Sequence, residues 1–136
     1  MTTPTLTRNL VELTGDRRTG KTETLIRTAV ADATAGRKVL FGTYLWAVAR
    51  NTFDRTLAQI PRDVVHRTLR SNGNLRIELA NGGIIWFISV TMNAGRGVDC
   101  DTLILDDAHE YEQHITSVIV CTNASTNPRV YIARLA

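Results

Sequence analysis

The chain is short of the features that mark several large protein classes. Its two cysteines, Cys100 and Cys121, give neither a disulfide framework nor a metal-ligand spacing. Both lie beside or within apolar, strand-like runs, the usual setting of buried free thiols in a reducing cytoplasm. No run of about 18 apolar residues occurs, so no membrane span is expected. Residues 1–6 lack a basic region followed by an apolar stretch, so they do not read as a secretory signal. Neither an internal repeat nor a low-complexity linker is visible, and 136 residues set the expectation of a single domain. Lysine is nearly missing: of 16 basic residues, Lys21 and Lys38 are the only lysines. Arginine suits two-pronged phosphate contact, which admits nucleic acid as a partner; the coding bias of a GC-rich genome explains the same count.

What is present is concentrated in two motifs. Gly15, Asp16, Arg17, Arg18, Thr19, Gly20, Lys21 and Thr22 fill the pattern G-x-x-x-x-G-K-S/T. A strand-like run (Leu10, Val11, Leu13) leads in, and a helix-compatible run leads out. A strand feeding a glycine loop that opens a helix aims backbone N–H groups and the positive helix end at a polyphosphate. Lys21 then reaches the outer phosphates of ATP, and the Thr22 hydroxyl is a Mg²⁺ ligand. A chance match in a Gly/Thr-rich turn is the alternative.

The second motif is T-L-I-L-D-D-A-H-E, residues 102–110. An apolar strand delivers acids at its C-terminal edge, where open α/β sheets bind ligands. Asp106 is expected to share Mg²⁺ with Thr22, directly or through water. Asp107 is the candidate that orients or deprotonates attacking water, with Glu110 as the other candidate base. Acidic capping after a buried strand is the alternative for these acids.

The remaining candidates are less specific. Arg17 and Arg18 either touch phosphate or a neighbouring subunit's nucleotide, or face solvent. Arg96, between Gly95 and Gly97, is a candidate arginine finger or part of a surface loop. Thr122 and Asn123 end an apolar run and are candidates for sensing the γ-phosphate; turn chemistry in N-A-S-T-N-P is the alternative. His109 lacks metal-ligand partners and reads as structural or coupling. Trp46, Trp86 and Phe87 read as packing, or as surfaces on which a base stacks.

The pattern along the chain predicts strands at 10–14, 39–45, 102–105, 117–122 and 130–133. Helices are predicted at 20–35, ended by Gly36, and at about 47–59, stopped before Pro61. Alternation over 75–79, an Asn-Gly turn and a second apolar run predict a β-hairpin across 75–89. Residues 92–98 read as a glycine-containing loop. Short apolar strands alternating with helices imply a mainly parallel, doubly covered sheet.

Taken together, these motifs resemble the ATPase domain of the large terminase subunits of tailed phages. G-D-R-R-T-G-K-T is similar to the arginine-containing Walker A loop of that family. The hairpin, A-G-R-G and D-T-L-I-L-D-D-A-H-E resemble the middle of the domain, and C-T-N-A-S-T-N-P resembles its third, coupling motif. The resemblance covers roughly residues 10–130. It implies an α/β P-loop NTPase of the additional-strand, catalytic-acid class, with a mainly parallel central sheet flanked by helices, plus a β-hairpin. It implies a Mg²⁺-dependent ATPase in the host cytoplasm that drives double-stranded DNA into a procapsid. Its partners would be a homo-oligomeric ring, typically a pentamer, a portal and a small terminase subunit, with no membrane. Lys21 and Thr22 carry over as phosphate and Mg²⁺ contacts, Asp106 as the Walker B acid, Asp107 as the catalytic acid and Arg96 as the trans-acting arginine.

The chain departs from the family at three points. Asp107 stands where the family usually has Glu. The 136 residues leave no room for a nuclease domain, so cutting DNA by that route is not expected. Ahead of Gly15 there is no Gln to mark an adenine-binding segment. A helicase-like nucleic-acid-dependent ATPase and a catalytically weak nucleotide-binding assembly module are the alternative functions.

Overall fold

The computed structural model describes residues 9–15, 20–71, 74–93 and 98–135. In chain order the elements are β1 (Asn9–Gly15), α1 (Lys21–Thr34), β2 (Lys38–Thr43), α2 (Trp46–Leu57), β3 (Val65–Ser71), β4 (Asn74–Leu79) and β5 (Ile84–Ser89). Then come the single turn α3 (Val90–Asn93), β6 (Thr102–Leu105), α4 (Ile115–Ile119) and β7 (Arg129–Leu135). Among the described residues the strands form one sheet in the order β1-β7-β6-β2-β5-β4-β3. The first five in that order run parallel; β4 and β3 add an antiparallel edge. No described helix is long and apolar enough to cross a membrane.

The apolar runs of the central strands explain the two-faced core. Alternate residues of a strand point to opposite faces. Val39, Phe41 and Ile104 pack with Leu25, Ile26 and Phe53 of α1 and α2. Their neighbours Leu40, Leu103 and Leu105 pack with Tyr111, Ile115 and Val118 on the other face. β6 is buried along its whole length, as expected for a parallel strand covered on both sides.

The predicted hairpin is present, and its turn is fastened to α1. Asn81 donates its amide to the Thr34 carbonyl (2.7 Å) and accepts the Gly83 N–H (2.9 Å). A Cβ on Gly83 would lie 2.0 Å from the Ala33 carbonyl oxygen. Gly83→Ala is therefore expected to push the hairpin off the helix end and cost about 2 kcal/mol, the usual scale of overpacking. Chemical denaturation checks this; an unchanged midpoint would show that the turn relaxes freely.

Three readings of the sequence need correction. The apolar run 117–122 is not a strand but helix α4 continued by a 3-10 turn, Val120–Thr122. Ile115, Val118 and Cys121 recur at helical spacing and are buried, whereas Val120 is 55% exposed. The run is too short for its period to be legible without knowing which residues face the core. Residues 65–71, given no element, form the edge strand β3. It is polar and half exposed, and cross-strand pairing with β4, including Arg67 to Glu78 (3.0 Å), holds it. The start of the expected glycine loop is the turn α3.

Candidate nucleotide site at the carboxyl edge of the sheet

The parallel strands β1, β7, β6 and β2 all end at one edge, and the two motifs meet there. Thr14 lies beside Arg134 of β7, Leu105 of β6 lies beside Ile132, and Gly42 of β2 beside Leu105. The strand inserted between the two motif strands is thus β7. Of the phosphate loop, residues 16–19 lie outside the described residues, and so do Arg17 and Arg18.

Gly20 closes the loop and caps α1 in the left-handed region (φ 75°, ψ 21°) with open space where a Cβ would stand. Its requirement is conformational, not steric. Glycine supplies no side-chain cap, and the start of this 14-residue helix is an end that presents backbone N–H groups. The Lys21 ammonium folds back and donates to the Gly15 carbonyl at 2.8 Å, spanning the loop between its strand and its helix.

One hydrogen bond joins the motifs. The Thr22 hydroxyl donates to the Asp106 carboxylate at 2.8 Å across 84 residues of chain. The other Asp106 oxygen accepts the Asp107 N–H at 3.0 Å. Asp106 is 3% exposed, and burial raises its pKa above the ordinary aspartate value. The Thr22 hydrogen bond lowers it and the Asp107 charge raises it further. A desolvated carboxylate with a hydroxyl across from it supplies hard oxygen donors, and a divalent cation would relieve the burial cost. Among the described residues no cluster of three or more His, Cys, Asp or Glu side chains could hold a metal. A Mg²⁺ here would take its other ligands from phosphate and water, as Mg²⁺ commonly does.

Asp107 is the only non-glycine residue with positive φ among the described residues (φ 53°, ψ 41°). Asp tolerates this region better than most residues, but the conformation still costs energy and is over-represented at functional sites. Asp107 is half-exposed, just past the end of β6. Glu110 sits one 3-10 turn later, exposed, with its carboxylate 3.8 Å from His109 Nε2. His109 itself is structural: its Nδ1 accepts the Leu135 N–H (3.2 Å), closing the end of β7.

Thr122 and Asn123 are not at this edge, contrary to the expectation. They precede β7, whose first residue, Arg129, lies beside Thr102 at the start of β6. The Cys121 carbonyl accepts the Cys100 N–H (2.9 Å), and the Thr122 hydroxyl donates to Ile119 (2.8 Å). From there to Asp106 is most of a strand, roughly 15 Å. The place between the motif strands is taken instead by Arg134, which donates to Glu112 (2.5 and 3.0 Å) and also to Glu12 of β1. Arg96 lies outside the described residues.

Sequence reasoning also missed Tyr111, whose buried hydroxyl donates to the Asp106 carbonyl (2.5 Å). A tyrosine four residues past Asp107 carries no signal of its own.

No family model matches the chain, and no curated protein does. Solved structures do. The large terminase of bacteriophage HK97 superposes with a TM-score of 0.76 at 15% identity, over 93% of this chain and 29% of that one. The large terminase ATPase domain of Thermus phage P74-26 gives 0.66 at 18% identity, over 92% and 59%. The large terminase of a thermophilic bacteriophage, in complex with ADP, gives 0.70 at 12% identity, over 97% and 35%. The chain spans between 29% and 59% of the length of these structures. Its fold is therefore similar to that of these terminase structures, a mainly parallel α/β sheet flanked by helices with an antiparallel hairpin edge, as the resemblance implied.

Proposed function

We propose, with the terminase ATPase fold as premise, that the chain hydrolyses Mg²⁺-ATP in the crevice at the ends of β1, β7 and β6. Hydrolysis would drive double-stranded DNA into a viral procapsid, with the chain acting in a homo-oligomeric ring. The single observation that carries the ATPase reading is the Thr22–Asp106 hydrogen bond. It puts the two side chains that would hold Mg²⁺ in contact, from motifs 84 residues apart.

The roles follow from position. The first turn of α1 offers N–H groups to phosphate. Lys21 exchanges its Gly15 carbonyl for an outer phosphate. Thr22 and Asp106 would hold Mg²⁺, which would supply charge neutralisation at the phosphates when bound. Asp107, held at the strand's end in a left-handed turn, orients the attacking water and accepts its proton. Asp is one methylene shorter than Glu, and the left-handed backbone is this chain's means of directing the shorter carboxylate. DNA coupling and ring assembly rest on the fold likeness and the arginine-rich composition.

The test is steady-state ATP hydrolysis with and without double-stranded DNA, alongside Asp107→Asn. Turnover is expected to rise with DNA and to drop at least about a hundredfold in the variant, the scale of a lost general base. Nucleotide binding without turnover in the unaltered chain would leave only a binding module.

A further inference from the structure

The geometry points to Tyr111 as a positioning residue that holds the Asp106–Asp107 peptide in the orientation required for water activation. The inference rests on the ATP-hydrolysis reading above. It starts from an unusual degree of fixation: both polar atoms of one peptide group are held. The carbonyl of Asp106 accepts the Tyr111 hydroxyl at 2.5 Å. The N–H of Asp107 is held by the Asp106 carboxylate at 3.0 Å.

That peptide plane fixes where φ of Asp107 is measured from, and Asp107 sits at φ 53°. A non-glycine residue in this region lies about 1–2 kcal/mol above the right-handed alternative. With the plane free, the backbone would relax by rotating roughly 120° into the common basins, taking the carboxylate with it. The phenol opposes that rotation.

Its own position is secured on every side. The ring is 2% exposed and packs in the core beneath β6. The hydroxyl is also 3.3 Å from the Gly42 carbonyl, which accepts the Asp106 N–H at 2.9 Å, so it ties the ends of β6 and β2 together. His109 before Tyr111 and Glu112 after it are pinned as well, by the Leu135 N–H and by Arg134. The turn that carries Asp107 is thus clamped before and after the carboxylate.

The experiment compares Tyr111→Phe with para-aminophenylalanine at the same position, which restores a donor on the same ring. In Tyr111→Phe, kcat is expected to fall about thirtyfold, within the tenfold to hundredfold range of lost supporting contacts. KM for ATP and the thermal stabilisation by Mg²⁺-nucleotide should stay within about twofold, because Lys21 and the α1 amides are untouched. The amino variant should recover most of kcat. A Phe variant with full kcat overturns the inference and leaves the ATPase reading standing. So does a kcat loss that tracks lost thermal stability and a raised KM, with no recovery in the amino variant. An unaltered chain without turnover removes the ATPase reading, and this inference with it.

Discussion

Lys21→Ala is expected to abolish ATP turnover, lowering kcat by about a thousandfold while leaving the fold in place. The lysine is the one cation described within the phosphate motif, and its ammonium already crosses the loop to the Gly15 carbonyl. A preorganised charge facing developing negative charge is worth roughly 3–4 kcal/mol when removed, which is two to three decades of rate. Folding should suffer little, because the side chain is half exposed and water can replace it at the Gly15 carbonyl. Two measurements check this: steady-state hydrolysis and the thermal shift induced by Mg²⁺-ATP. Nucleotide at 100 times its Kd stabilises by about 2.7 kcal/mol, and the variant should lose most of that at the same concentration. Normal turnover would sink the assignment of the site.

The second large effect lies at the opposite edge of the sheet. Asp32→Ala is expected to destabilise the domain by about 3 kcal/mol, lowering Tm on the order of 10 °C. Asp32, at the end of α1, accepts the buried Thr102 hydroxyl (2.7 Å) and an Arg129 guanidinium N–H (3.3 Å), and it lies 3.8 Å from Arg37. Arg37 in turn donates to the Asp101 and Asn127 carbonyls (2.6 and 2.7 Å). The cluster therefore ties the end of α1 to the starts of β6 and β7. Truncation leaves the Thr102 O–H without its acceptor, although its oxygen still accepts from Arg37 (2.9 Å), and leaves two guanidiniums without their shared carboxylate. Arg129 is a third exposed, so water compensates part of the loss and the estimate sits at the low end of buried-pair costs. Asp32→Asn should cost less, since its amide oxygen still accepts from Thr102. A Tm change below about 2 °C in the alanine variant would show that solvent replaces the cluster.

The contrast between these two edges also explains what was legible in the sequence. The strand ending at Gly15 and the helix opening at Lys21 could be read because the motif between them demands a strand-to-helix turn at fixed spacing. Asp106 could be read because four apolar residues, 102–105, precede it and demand a buried strand. The hairpin was legible from alternation and Asn81-Gly82. Strand order was not, because nothing local says that the last strand, β7, inserts between β1 and β6. The polar end of the strand between the motif strands was therefore sought at Thr122 and Asn123, whereas the chain brings Arg134 there. The 117–122 run defeated periodicity because one turn of helix and one short strand look alike when every residue is apolar. The β3 strand was illegible for the opposite reason: its residues are polar, and pairing with β4 rather than burial makes it a strand.

The insertion of β7 has a consequence for how the molecule comes into being. In the described sheet β1 pairs with β7 alone, Asn9 beside Arg129 and Gly15 beside Leu135. β1 is thus completed only by β7, a closure over about 120 residues that no local contact can stand in for. A nascent chain still lacking residues 129–135 has nothing for β1 to pair with, so its phosphate loop has no seat on the sheet. Synthesis itself then delays the seating of β1 beside its neighbours until β7 has been made.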